Sequence, residues 1–360
     1  MPSNFNIQKV LVAPLDWGLG HATRCIPIIR ALLSNGYEVL IGAEGVQAIL
    51  LQTEFPSLQI LPLKGYHVRY SKTSWLFLFK IVIQLPYLQR IIKYEHQWLE
   101  KIIKEHSIDL VISDNRFGLS SQTIPCIFIT HQLNIKAPFV WMEKILQRIN
   151  YKYINRFTRC WVPDAAGDNN AGGDLSHPSI LPRTEVEYMG LLSRFEIEAI
   201  EKKYDYCILL SGPEPQRTLL EEKIILGLIK TKSKLLLVRG KPGSNEIIGV
   251  PENVTVKNHL PGTELQEAIL QSEIIICRSG YTTVMELLSL QKKSILIPTP
   301  GQTEQEYLGD RLQQKNICLS VSQSDFDLIA SIEAARLFQF QTISLPLFTE
   351  SRLTELLASL

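Results

Sequence analysis

The chain has no clean apolar run of membrane-spanning length, no CxxC pair, no imbalance of charge and no short-period repeat, and each absence removes a class of protein. Acids and bases number 36 and 37 over 360 residues, a formal net charge of +1. That gives no electrostatic reason to expect nucleic acid as the main partner. The six cysteines (Cys25, Cys126, Cys160, Cys207, Cys277, Cys318) are far apart and mostly sit in apolar, strand-like runs. They read as reduced core thiols rather than a disulfide framework. Eight residues without an apolar signal region precede the first strand-like run, so a cytoplasmic location is expected. The most apolar stretch, "WLFLFKIVIQLPYLQRIIK" at 75–93, is broken by Lys80, Gln84 and Pro86. It is short of the ~20 apolar residues of a membrane span. Basic flanks (Lys64, Arg69, Lys72, Arg90, Lys93) and bunched Trp75, Phe77 and Phe79 leave two readings. One is a helix lying on anionic lipid at the inner face of the plasma membrane; the other is a helix buried against a sheet with a basic rim.

What is present is a soluble, globular composition, 45% hydrophobic, in a chain long enough for two domains. Short continuous apolar runs alternate with helical patterns, as in a parallel sheet covered on both faces. The expected strands of the first half are 9–15, 37–43, 59–63, 109–113, 126–130 and 159–162. "CIPIIRALLSNG" between the first two reads as a helix ending on Gly36, with Pro27 forcing a late start or a bend. After a polar, glycine-rich "AAGDNNAGGDLSHP", the pattern resumes with 206–210, 234–238, 254–257, 274–277, 294–298 and 317–321. The reading is α/β, two doubly wound Rossmann-like domains facing a central cleft. Residues 1–165 are expected to form the first, 166–186 a linker, 187–338 the second and 339–360 a C-terminal segment that returns to the first domain. Function in such sheets sits in the turns beyond the strands' carboxyl ends.

The first such turn is "DWGLGHATR". Gly18 and Gly20 permit φ > 0 and leave room for a ligand, and the opening of the next helix favours anions. His21 there is either a general base for a hydroxyl or a helix cap. Asp114, closing "LVISD", could orient that imidazole or cap a helix of its own. His131 and Gln132, after the fifth strand, are candidates for the acceptor side.

In the second half, Arg278, Ser279 and Gly280 form a turn, and Thr282 and Thr283 open a helix suited to a diphosphate. Glu286, at i+4 from Thr282, could take a ribose diol. Glu304, Gln305 and Glu306 in "PTPGQTEQEY" suit sugar hydroxyls. Ser211, Gly212 and Arg217 in "LLSGPEPQR", with Arg239 closing "LLVR", would place positive charge on a diphosphate leaving group without a metal.

With "GLGHATR", "RSGYTTVMEL" and "IPTPGQTEQE" in hand, the chain resembles GT-B-fold glycosyltransferases, and within them glycosyltransferase family 28, over nearly its whole length. That family includes the N-acetylglucosaminyltransferase that forms lipid II. The resemblance implies that Gly18, Gly20 and His21 face acceptor and donor diphosphate. It implies that Arg278-Ser279-Gly280 binds donor phosphates, Glu286 the ribose and Gln305 the donor sugar. It departs from the lipid-II enzyme at Leu308, where that enzyme has asparagine, at Glu304, which replaces histidine or arginine, and in a shorter loop before His21. Glu214 and Glu222 have the spacing of a retaining pair, but in the wrong turn. Asp325-Phe326-Asp327 looks like a metal motif but reads as a helix cap.

The expectation is an inverting hexosyltransferase that uses a nucleotide-diphosphate sugar, UDP-linked, on an unidentified glycan, lipid or small-molecule acceptor. No metal or other cofactor is expected. The alternatives are a non-hydrolysing UDP-sugar epimerase and a non-catalytic nucleotide-sugar or polysaccharide-binding protein.

Overall fold

The computed structural model describes residues 7–66 and 77–360, leaving aside the side chains of 77–85. The chain divides into two compact units, 1–194 with 346–360, and 195–345.

The first unit carries a seven-stranded parallel sheet in the order β3-β2-β1-β4-β5-β6-β7. Its strands are β1 (Lys9–Pro14), β2 (Glu38–Ala43), β3 (Gln59–Pro62), β4 (Leu110–Asp114), β5 (Cys126–Ile129), β6 (Arg159–Val162) and β7 (Val186–Tyr188). β1, β4 and β5 are buried along almost their whole length, because crossover helices cover both faces of a parallel sheet. One face packs Leu11, Val111 and Phe128 against Leu99 and Ile102 of α3 (Phe77–His106). α1 (Leu19–Ser34) runs unbroken through Pro27, so the helix does not start late. α2 (Gly45–Glu54) and α4 (Val140–Ile154) complete the crossovers.

The stretch 75–93 crosses the limit of the described residues. Residues 75 and 76 and the side chains of 77–85 lie outside them; the backbone is helical from Phe77, and Leu88, Ile91 and Ile92 pack against Leu15 and Tyr66.

The glycine-rich 166–186 is no linker. It winds round the buried carboxylate of Asp164, which accepts from the backbone N–H groups of Ala165, Ala171 and Gly172 at 2.8–2.9 Å and from Ser176 Oγ at 2.6 Å. A carboxylate so satisfied is stable in the interior, and it makes this loop part of the first unit. β7 then adds an edge strand, so the first unit runs on to Arg194 rather than ending near 165. The chain returns at Pro346, with Leu191 N–H donating to Pro346 O and Phe348 N–H to Leu191 O. α10 (Glu350–Ala358), capped by Thr349, is tied on by Arg352 to Tyr188 O and by Arg159 to Ser359 O.

The second unit has six parallel strands in the order β10-β9-β8-β11-β12-β13. They are β8 (Tyr204–Leu209), β9 (Leu235–Val238), β10 (Val254–Lys257), β11 (Ser272–Cys277), β12 (Lys293–Leu296) and β13 (Leu319–Ser320). α5 (Gln216–Leu228), α6 (Gly262–Leu270), α7 (Tyr281–Ser289), α8 (Thr303–Gln314) and α9 (Leu328–Leu337) cover them. Asp327 caps α9 by accepting from Ala330 N–H, the role expected of it. All six cysteines are buried free thiols.

Candidate active site

In each sheet the strand order reverses once, between β1 and β4 in the first unit and between β8 and β11 in the second. Adjacent crossovers leave in opposite directions there, opening a crevice at the carboxyl edge. Register makes the edges level: Pro14 pairs with Asp114 and Asp114 with Ile129. In the second unit Leu209 pairs with both Cys277 and Val238, and Cys277 with Leu296.

At the first crevice, Gly18 turns the chain into α1 with φ +74° and open space where a side chain would stand. It is required for conformation, not for crowding. Gly20 does not need that freedom, because it lies inside α1, its carbonyl accepting from Thr23 Oγ1. The buried amide of Gln47 donates to Leu15 O and Gly18 O and braces the turn from below. No side chain caps α1.

His21 stands one turn into the crevice with its side chain 14% exposed. Its Nδ1 is 3.0 Å from Asp114 Oδ2 and 2.8 Å from Arg24 Nη2. Arg24, at i+3, meets both oxygens of Asp114, through Nε at 2.8 Å and through Nη2. Its Nη1 is 2.9 Å from His131 Nδ1. A guanidinium can only donate, so His131 presents its Nδ1 lone pair and carries its proton on Nε2. His131 is buried, with Nδ1 turned toward Arg24. Gln132 is half-buried, with its backbone carbonyl accepting from Asn150.

Burial raises the Asp114 carboxyl, but Arg24 and His21 overcome this and hold it at about 2. Burial lowers His21 below its ordinary 6.5, and Arg24 lowers it further, against the opposing pull of Asp114. The ring is thus neutral at neutral pH beside an ion pair that is already balanced. Nε2 of His21 has no hydrogen-bond partner among the described residues. The structure brings Asp114 to within hydrogen-bond distance of His21; the sequence reading does not include Arg24, though its i+3 spacing from His21 places it on the same helical face.

At the second crevice Arg278 is buried, and its Nη atoms donate to Ile297 O, Pro298 O and Gln216 O. No carboxylate meets it, and burial pulls its pKa down to about 10. Its Nε and the Thr299 hydroxyl are buried with no hydrogen-bond partner among the described residues. Both lie beneath Gly212, whose φ of +100° leaves a space that a Cβ would fill 3.6 Å from Thr299 Oγ1 and 3.7 Å from Arg278 Nε. Two unpaired donors, one of them cationic, are costly to bury unless an anion arrives. Ser211 and Gly212 are exposed above them. Gly280 begins α7 without a side-chain cap and with open space on its Cα. Thr282 and Thr283 are half-buried on the first turn, and Glu286 is buried one turn on.

Other expected donor ligands are already engaged. Arg217 donates to Glu214 and Glu221, and Arg239 to Glu221, Glu246 and Asn258. The assignment to the diphosphate meets this network: Glu221, one helical turn from Arg217, lies between the two arginines, with Glu214 and Glu246 as further counter-charges. Ser279 Oγ donates to Gln305 O and ties two turns together. The Gln305 amide accepts from Thr299 N–H and donates to Gln302, holding its own loop. Glu304 is half-buried on the first turn of α8, and neighbouring Glu306 accepts from Gly301 N–H. Thr299 was not anticipated, since nothing in "IPTPG" marks a hydroxyl that packing leaves unpaired.

Residues 219–343 match the glycosyltransferase family 28 C-terminal domain. An uncharacterized glycosyltransferase of Methanosarcina acetivorans is 23% identical over 83% of this chain and 82% of its own length. The UDP-N-acetylglucosamine–N-acetylmuramyl-(pentapeptide) pyrophosphoryl-undecaprenol N-acetylglucosamine transferase of Glaesserella parasuis is 24% identical over 89% and 86%. Among solved structures, the kitacinnamycin glycosyltransferase superposes with a TM-score of 0.64 at 13% identity, covering 98% of this chain and 94% of that one. Acinetobacter baumannii MurG superposes with 0.54 at 16%, covering 98% and 93%. The fold of the two sheets is that of GT-B glycosyltransferases.

Proposed function

We propose that this chain, a glycosyltransferase of GT-B type with a family 28 C-terminal domain, moves a hexose from a UDP-linked donor to an acceptor hydroxyl with inversion and without a metal. The observation that carries this reading is the buried Arg278 guanidinium, which meets only carbonyls and keeps an unpaired Nε beside the unpaired Thr299 hydroxyl. A diphosphate supplies the missing charge and acceptor atoms. Its oxygens would lie over Gly212 and the opening of α7, with Glu286 on the ribose. The UDP donor named for the Glaesserella parasuis relative supports uracil as the base.

On the first unit, His21 acts as general base. His21 Nδ1 is within reach of both the Asp114 acceptor and the Arg24 donor; the base is the tautomer whose Nδ1 proton is directed at Asp114, in which Nε2 keeps the lone pair that takes the acceptor hydroxyl's proton. The new bond joins that oxygen to the anomeric carbon as the bond to the diphosphate breaks. A membrane-proximal acceptor draws support from α4 rather than from 75–93. Phe139, Val140, Trp141, Ile145 and Ile149 are exposed there, among exposed Lys144, Arg148 and Lys152, the mixture that lies on anionic lipid.

The test is His21→Ala with UDP binding and sugar transfer measured separately. Transfer is abolished while UDP affinity stays within about twofold. Transfer at the normal rate removes His21 as base. Conversion of UDP-N-acetylglucosamine with no acceptor present would instead mark an epimerase, and tight UDP binding with no turnover a binding protein.

A further inference from the structure

The amino-terminal edge of the second sheet, opposite the turns just described, gathers an unbalanced positive charge. Lys202 and Lys203 precede β8, Lys230, Lys232 and Lys234 lead into β9, and Lys292 and Lys293 lead into β12. Parallel strands bring these three lead-ins to one edge. Lys202, Lys203, Tyr204, Asp205, Lys232, Lys234 and Glu273 line an open depression of about 490 Å³.

The carboxylates do not answer this charge. Glu273 pairs with Lys293, and Asp205 accepts from the backbone N–H of Lys234. Lys202, Lys203, Lys230, Lys232, Lys234 and Lys292 form no ion pair among the described residues, and Glu273, already paired with Lys293, is the one carboxylate whose charge acts on Lys202 and Lys292. Two of the ammonium groups are held together: Lys202 Nζ donates to Leu270 O and Ser272 O at 2.8 and 3.2 Å, and Lys292 Nζ to the same two carbonyls at 3.0 and 2.8 Å. Burial and the neighbouring Lys202 together pull Lys292 down to about 7. In a chain balanced overall, lysines gathered round a concave surface form a focused positive field, which an anion strengthens by favouring the charged form of Lys292.

We infer that this depression is a second ligand site, which takes a compact, multiply phosphorylated anion. The ligand meets Lys202, whose ammonium group is held beside that of Lys292, and Lys203, Lys232 and Lys234 line the same depression. Lysines suit phosphate as point charges. A single-stranded nucleic acid would need stacking platforms. Tyr204 is the one aromatic side chain in the lining, and Lys203 Nζ already lies over its ring at 5.3 Å.

The experiment titrates inorganic tripolyphosphate into the full chain by calorimetry, with UDP saturating so that the turn at Arg278 is occupied. A parallel arm sediments the chain with phosphatidylcholine vesicles with and without phosphatidic acid. The variant is Lys232→Glu with Lys234→Glu, whose side chains are exposed and make no hydrogen bond; Lys232→Gln with Lys234→Gln is a milder pair. Tripolyphosphate affinity that falls at least tenfold in the Glu pair and less in the Gln pair supports a soluble phosphate ligand. The same ordering on phosphatidic acid vesicles supports a lipid headgroup as its source. If neither probe loses affinity in a variant with normal circular dichroism, or if single-stranded RNA alone shows the effect, the inference is overturned.

Discussion

Arg24 lies against both carboxylate oxygens of Asp114 and, through Nη2, 2.8 Å from Nδ1 of His21. A carboxylate beside a histidine ordinarily raises its pKa; here the guanidinium takes up most of that charge, and burial sets the direction. His21 therefore titrates below 6.5. The acid limb of kcat/KM falls below that value, so the base stays competent in mildly acid solution. In Arg24→Met the lowering influence is gone and Asp114 is unshielded, so the limb moves up by about one pH unit. Arg24→Lys, which keeps the charge, leaves the limb near its original place. A limb that does not move in Arg24→Met breaks this account of the cluster.

The same ion pair sets a stability window. The Asp114 carboxyl is depressed from 3.8 to about 2, so its contribution is complete above the ordinary carboxylate range and is lost as pH falls through about 2. Asp114→Asn removes that contribution, about 2 kcal/mol, and leaves Arg24 without its counter-charge. Urea unfolding of the two proteins should differ most above pH 4 and converge as the pH approaches 2. A difference that stays constant over that range would show that Asp114 titrates normally.

The strands of both sheets were legible because a buried parallel strand is a continuous apolar run, and "KVLVAP" or "IIIC" leaves little choice. β7 was not: three residues on a sheet edge, each half-buried, carry no such run. The glycine-rich 166–186 was misread for a related reason, since its order comes from one carboxylate, Asp164, that precedes it. At the first crevice, His21 and Asp114 were found because each ends or follows a strand. At the second, Arg217 and Arg239 look like anion ligands until Glu221 is placed between them. That is a fact of packing, as are the unpaired Nε of Arg278 and hydroxyl of Thr299.

Trp141 is 58% exposed at the start of α4, its ring stacked with that of Phe139 at 6.4 Å. No side-chain contact in the core depends on it, so Trp141→Glu leaves the melting temperature unchanged within about a degree or two. It removes an aromatic anchor and adds a charge that anionic lipid repels. Flotation with phosphatidylglycerol vesicles should fall at least threefold, with UDP affinity unaffected. Equal flotation of the variant would take α4 out of any membrane contact.

Thr299 separates folding from binding at the donor turn. Its buried hydroxyl has no partner among the described residues, so Thr299→Val removes an unsatisfied polar group and keeps the β-branched shape. Stability is unchanged or rises slightly. A phosphate oxygen placed between this hydroxyl and Arg278 Nε loses one hydrogen bond to a charged group, about 1.5 kcal/mol or roughly a tenfold weaker Kd for UDP. Few ligand contacts predict opposite signs for the two measurements. Equal UDP affinity would show that Thr299 lies away from the diphosphate, while a large drop in melting temperature would show that its hydroxyl is bonded within the fold.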